Sequence, residues 1–167
     1  MDLTIRPIRF EDAVFLSELR TMDGTRETTL GIKSERITRS EEYIRGLGPN
    51  DHVFVAEITE NGEKKVVGVV GLHVNTNPRQ RHSARLGIAV HRDYQGRGIG
   101  RALSNEILDL ADNWLKLLRI ELEVFVDNER AIKLYESLGF QIEGTKKYAA
   151  VKDGKYADIY IMARYNL

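Results

Sequence analysis

Apolar positions recur along this chain with two periods, and the switches between them mark the elements. "LTIRPI" (Leu3 to Ile8) reads as a first strand. "FEDAVFLSELRTM" takes the helical period, with Glu11 and Asp12 in the first turn, where the helix dipole favours acids. The polar, glycine-punctuated "DGTRETTLGIKSER" reads as a loop. Thr38, followed three residues later by Glu41, has the capping-box pattern and predicts a second helix over "TRSEEYIRGL". "HVFVAEI" and "KVVGVVGLHV" are strands joined by "TENGEK", whose Asn61-Gly62 is a two-residue hairpin signal. "SARLGIAV" is a fourth strand.

Beyond it, Ile99, Leu103, Ile107, Leu110 and Trp114 are separated by four, four, three and four residues, one face of a helix. "RIELEVFVDN" alternates as a strand. "NERAIKLYESLGF" predicts a short helix with Asn128 as its N-cap and Gly139 just past its end. "QIEGTKKYAAV" and "YADIYIMARY" predict a closing hairpin around Asp153-Gly154. The order is β-α-α-β-β-β-α-β-α-β-β. Hairpins mixed with strand–helix–strand crossovers predict one mixed sheet covered by helices, an α/β (α+β) fold. No repeat, low-complexity segment or linker divides the chain, so residues 1–167 are expected to form a single domain.

Composition narrows the function classes. The chain is 42% hydrophobic and 30% charged, an ordinary globular balance. Its 25 Lys+Arg offset 25 Asp+Glu, which gives no support to a nucleic-acid or anionic-membrane partner. The cluster Arg79, Arg81 and His82 reads as a solvated loop. There is no cysteine, which excludes disulfides, thiolate metal sites and a cysteine nucleophile, and suits a reducing compartment. No stretch approaches the ~20 apolar residues of a membrane span, and the N-terminus lacks the pattern of a signal peptide. A soluble cytoplasmic protein without a membrane partner is expected. His52, His73 and His91 have no metal-ligand spacing, and no metal is expected.

The candidate chemistry lies in "HRDYQGRGIGRALSNEI" (His91 to Ile107), where Gly96, Gly98 and Gly100 occupy alternate positions between a strand and a helix. The first N–H groups of a helix lack partners within it, and the dipole makes that end positive. Such an end binds phosphate when the chain comes close, and side chains at these three positions would block the approach. Arg97 and Arg101 add positive charge. The stretch therefore reads as a pyrophosphate cradle. It is not a P-loop, because no Gly-x-x-x-x-Gly-Lys-Ser/Thr run exists. Nor is it a dinucleotide fingerprint, because the last glycine of Gly-x-Gly-x-x-Gly is replaced by Arg101 or Leu103 in the two possible frames.

Gln95, Gly98 and Gly100 do match Gln/Arg-x-x-Gly-x-Gly/Ala, the acyl-CoA signature of the GNAT (GCN5-related N-acetyltransferase) family. "LGIAVHRDYQGRGIGRAL" resembles that family's fourth strand and third helix. "IELEVFVDNERAIKLYESLGF" resembles its fifth strand and fourth helix, including Asn-x-x-Ala-x-x-x-Tyr-x-x-x-Gly-Phe. The tail "FQIEGTKKYAAVKDGKYADIYIMAR" is similar to bacterial members that acetylate small amines, the L-amino acid N-acetyltransferases among them. The resemblance implies a mixed, mostly antiparallel sheet of about seven strands flanked by about four helices.

It also implies a chemistry. Gln95, Gly96, Arg97, Gly98, Ile99, Gly100 and Arg101 would wrap the pyrophosphate of acetyl-CoA. The backbone of Ile88, Ala89 and Val90 would pair with the pantetheine arm, with Gly87 marking a bulge that splays the sheet. Asn128, an N-cap by position, would also bond the arm. Tyr135 shares a helix face with Ala131, Leu134 and Leu138, which suits core packing; by resemblance its hydroxyl is the general acid for the departing thiolate. A thiol ionises near ~8.5 and a tyrosine near ~10, so the donation is feasible. The base is open: the fourth strand carries no acid, which leaves water, Glu123 or His82. Glu27, Tyr148, Tyr156 and Asp158 are candidates for the acceptor side.

The first reading is acetyl transfer from acetyl-CoA to a small primary amine, an amino acid above all. Protein N-terminal or lysine acetylation, a non-catalytic acyl-CoA sensor and a nucleotide-phosphate binder are the alternatives. Family members often dimerise, which leaves a homodimer open.

Overall fold

A computed structural model describes all 167 residues. Seven strands form one sheet in the order β1-β2-β3-β4-β5-β7-β6. They are β1 (Asp2–Pro7), β2 (Asp51–Glu60), β3 (Glu63–Val74), β4 (Ser83–Val90), β5 (Arg119–Phe125), β6 (Gln141–Lys152) and β7 (Lys155–Tyr165). All neighbours are antiparallel except β4 and β5, as the mixed pattern predicts. Both hairpin turns form where expected: Asn61 and Gly62 have φ of 53° and 78°, and Asp153 and Gly154 have 50° and 75°, the left-handed pairs that such turns need.

The helices are α1 (Ala13–Thr21), α2 (Arg26–Thr29), α3 (Ile37–Arg45), α4 (Ile99–Asp109) and α5 (Glu129–Ser137). Strand alternation assigns them to opposite faces. Gly68, Val70 and Leu72 of β3, with their β4 partners Val90, Ile88 and Leu86, face α4. There Ile99, Leu103 and Ile107, all at most 1% exposed, fill the main core. Val69 and Ala89 face the other way, against Phe15, Leu16 and Leu19 of α1.

Four expectations need correction. The segment read as one loop contains the single helical turn α2. α3 begins at Ile37 with Arg36 at its N-cap and no side-chain cap, so Thr38 already lies inside the first turn and the Thr38–Glu41 capping box does not form. Trp114 is not on the core stripe of α4 but is 77% exposed. The helix ends in one wide turn, Leu110–Trp114, in which the Leu115 N–H donates to the Leu110 carbonyl; the five-residue step rotates Ala111 inward and Trp114 out. Finally, Gly87 is no bulge: the β3–β4 register runs unbroken through Gly71 and Gly87. The sheet still opens at this point, because β4 pairs with β5 only over Ser83–Arg85 and Arg119–Glu121.

Candidate functional site

Beyond Arg85 the strands β4 and β5 diverge, leaving a fork that joins the two faces of the sheet. A cleft of about 1260 Å³ runs through it. On the α4 face it is lined by Ile88 and Val90, by Gln95, Gly96 and Gly98 to Arg101, and by Asn128, Leu134 and Tyr135 of the α5 region. On the α1 face it is lined by parts of α1, α2 and α3 and by Gly71, His73, Arg85 and Gly87.

The glycine loop leaves open space at the start of α4. Gly96 and Gly98 have φ of 75° and 82°, and a Cβ on either would meet no protein atom within 4 Å. Backbone conformation and open space together keep the amides at the start of α4 approachable. Gly100 differs from the expectation: its bare Cα lets α4 approach α5, since a Cβ would lie 3.4 Å from Leu134 Cδ2. Gln95 Nε2 donates to the Val90 carbonyl at 3.1 Å, and Gln95 Oε1 accepts from Arg130 Nη1 at 3.1 Å, so this side chain braces the loop. The Arg101 guanidinium donates to Ser137 Oγ. Arg97 stacks over the Tyr94 ring, 5.0 Å from its centroid, and does not line the cleft. Asn128 caps α5, its Oδ1 accepting from the Ala131 N–H at 3.3 Å.

Tyr135 is 5% exposed and packs edge-on against Phe140. Burial pushes its phenol well above the usual tyrosine range. Unlike Tyr43, Tyr94 and Tyr165, whose hydroxyls bond to other side chains, Tyr135 makes no hydrogen bond from its hydroxyl, and it lines the cleft.

The remaining candidates separate. Glu123 lines the cleft but pairs with Lys146. His82 lies before Ser83, where β4 and β5 are still joined, and its carbonyl accepts from the N–H groups of Leu118 and Arg119. Glu27 accepts from the Gly24 N–H at 2.8 Å and does not itself line the cleft. Tyr148 and Tyr156, 75% and 73% exposed, stack on each other in the β6–β7 hairpin, and Asp158 accepts from the Tyr148 N–H there. That N–H and Lys147 hold the Asp158 carboxyl below its ordinary range.

Three side chains at the fork were not singled out from the sequence: Tyr43, His73 and Arg85. Period-two alternation from Gly87 and Gly71 places Arg85 and His73 on the α1 face, directly opposite one another. Arg85 is exposed there and free of the ion pairs that engage Arg6, Arg20, Arg119 and Arg164.

Known proteins share this architecture. The acetyltransferase (GNAT) family model matches residues 19–140. The chain is 42% identical over 125 residues to the L-amino acid N-acetyltransferase AaaT of Escherichia coli, covering 70% of this chain and 77% of that protein. It is 35% identical over 158 residues to the spermidine N(1)-acetyltransferase of Vibrio cholerae, covering 94% and 89%. The crystal structure of spermidine N-acetyltransferase from Vibrio cholerae with CoA and spermine superposes with a TM-score of 0.82 at 29% identity, over 98% of this chain and 95% of that one.

Proposed function

This chain belongs to the acetyltransferase (GNAT) family, and from that premise we propose that it moves the acetyl group of acetyl-CoA to the primary amine of an amino acid. The family uses acetyl-CoA as donor, and the loop from Gln95 to Arg101 suits its pyrophosphate: a positive helix end, two left-handed glycines and room for a ligand. The arm then lies along Ile88–Val90, the stretch of β4 that β5 leaves unpaired.

One observation carries the chemistry: Tyr135 lines the cleft, and its hydroxyl has no protein partner. The amine nitrogen forms the amide bond as the C–S bond breaks, the Tyr135 O–H gives its proton to the sulfur, and the proton that the nitrogen sheds as the amide forms restores the Tyr135 phenol. Burial favours the neutral phenol, so the donor stays loaded through neutral pH.

The choice of an amino acid rests on Arg85. Its unpaired guanidinium lies on the α1 face at the mouth of the fork, suited to grip a carboxylate in a bidentate way. A polyamine offers no such anion. The reading also makes this a cytoplasmic enzyme, beside its acyl-CoA supply.

A thiol-release screen with acetyl-CoA and a panel of amino acids, polyamines, aminoglycosides and peptides tests it. Turnover is expected with amino acids. Turnover with polyamines or peptides alone overturns the acceptor assignment, and CoA binding without any turnover makes the protein a sensor.

A further inference from the structure

An ammonium must lose a proton before it attacks, and β4 carries no acid to take it. The α1 face holds a different device. His73 Nδ1 lies 2.8 Å from Asp51 Oδ1, and His73 Nε2 lies 3.1 Å from the Tyr43 hydroxyl. The direction of these bonds follows from their ends. The Gly48 N–H, at 2.8 Å, and His73 hold the Asp51 carboxyl below its ordinary range, so Asp51 only accepts. His73 Nδ1 therefore carries the hydrogen, Nε2 of the neutral ring has the free lone pair, and the Tyr43 O–H donates to it.

Three features of the fold converge on this array. Tyr43 and His73 both line the cleft. Gly71 makes room for it: a Cβ there would sit 3.1 Å from His73 Nε2 and 3.5 Å from the Tyr43 hydroxyl. A register shift between Ala56 and Glu57 sets Asp51 opposite His73; the strict register of the Asn61-Gly62 hairpin would set Asp51 opposite Leu72.

We propose that Tyr43, His73 and Asp51 form the proton exit for the acceptor ammonium, with Tyr43 touching the substrate and His73 as the base. This rests on the acyl-transfer reading above. The ammonium gives one proton to the Tyr43 oxygen as Tyr43 passes its own to His73 Nε2. The substrate is left as a free amine, Tyr43 as a phenol, and His73 as an imidazolium paired with Asp51. The proton leaves to water when the product does. The charged groups facing His73 are Asp51 from β2, with His52 beside it, and Arg85 from β4; Tyr43 faces it from α3.

The test is the pH profile of kcat/KM for the preferred amino acid. In the native protein a plateau is expected at pH values below the amine's own ionisation, because the enzyme binds the ammonium and deprotonates it. His73→Gln keeps hydrogen-bonding capacity but takes no proton. It is expected to lower kcat/KM at pH 7 by about 100-fold and to replace the plateau with a rise of about tenfold per pH unit, the titration of free amine. Tyr43→Phe is expected to do the same and carries the test if His73→Gln does not fold. Calorimetric acetyl-CoA affinity should be unchanged in both. A variant profile that keeps its plateau, whether lowered or not, overturns the proton exit while leaving acyl transfer intact. Native protein that turns over no amine removes acyl transfer itself, before any variant is made.

Discussion

Gly71 of β3 and Gly87 of β4 stand directly opposite one another across the sheet, and neither offers a side chain to the α1 face. The pair clears a floor between Tyr43 and His73 on one side and the fork on the other. The two glycines are not equivalent. A Cβ on Gly87 meets no protein atom within 4 Å, whereas one on Gly71 would press on His73 and Tyr43. Gly87→Ala should therefore fold normally and raise KM for the amine by narrowing the cleft. Gly71→Ala should lower kcat by about tenfold through displaced acid–base groups. Steady-state kinetics on the two variants separate these outcomes.

Tyr135→Phe keeps the ring against Phe140 and removes only the hydroxyl. It should reduce kcat by about 100-fold and leave acetyl-CoA affinity unchanged by calorimetry. Equal turnover would remove Tyr135 from the mechanism. Burial also couples this phenol to stability. Its folded-state ionisation lies above the unfolded value, so folding is favoured fully below about pH 10 and progressively less above it, as the unfolded chain alone loses the proton. Thermal melts between pH 9 and pH 11 should show Tyr135→Phe losing less stability than the native chain.

Gly98 takes a left-handed φ at the N-cap of α4, with open space where a side chain would be. An L-residue in that conformation costs about 1–2 kcal/mol, and a branched one also enters the cradle. Gly98→Val should raise the acetyl-CoA dissociation constant at least about tenfold, with far-ultraviolet dichroism unchanged. Full affinity in a folded variant would refute the cradle.

Arg6 forks across two carboxylates. Its Nη1 and Nη2 donate to Asp12 at 2.9 and 3.0 Å, and its Nε and Nη2 donate to Glu57 at 3.1 and 3.0 Å. Burial works to raise the 5% exposed Asp12 carboxyl, and hydrogen bonds from Arg6 and the Arg9 N–H overcome it, leaving it below its ordinary range. Arg6→Ala should destabilise the protein by about 3–5 kcal/mol, because it leaves a buried carboxylate unpaired. Asp12 contributes stability above its unfolded ionisation near ~3.9 and loses it as pH falls through the lower folded value. Acid unfolding of the native chain should steepen below about pH 4, and urea melts across that range measure it.

Trp114 is the only tryptophan and projects from the wide turn. Its emission should be solvent-like and readily quenched by iodide. Trp114→Ala should change stability by less than about 0.5 kcal/mol. A blue, protected emission would restore the uninterrupted helical register.

Much of this was legible in the chain itself. The seven strands along the chain, both hairpins and the Asn128 cap follow from local rules, because each depends on residues a few positions apart. What escaped depends on register and distance. Trp114 left the apolar stripe through one five-residue turn, which spacing alone does not reveal. Asp51, His73 and Tyr43 come from three elements. Their meeting requires a one-residue shift between Ala56 and Glu57, where Val67 of β3 is the extra residue and only Gly68, opposite Ala56, marks the place. Arg85 and His73 could have been found by carrying alternation out from Gly87 and Gly71. The acceptor candidates Glu27, Tyr148, Tyr156 and Asp158 came from the segments that the resemblance puts on the acceptor side, without a register to place them, and they do not line the cleft.

Only three rungs of parallel ladder tie β4 to β5. The sheet is therefore two stiff leaves on a short spine, and backbone groups along Ile88–Val90 lack a neighbouring strand on the β5 side. On the proposed reading, a coenzyme lying there serves as a removable strand as well as a reactant. Saturating CoA should stiffen the whole sheet by mass action, and a cell starved of it would hold this enzyme in its most pliable form.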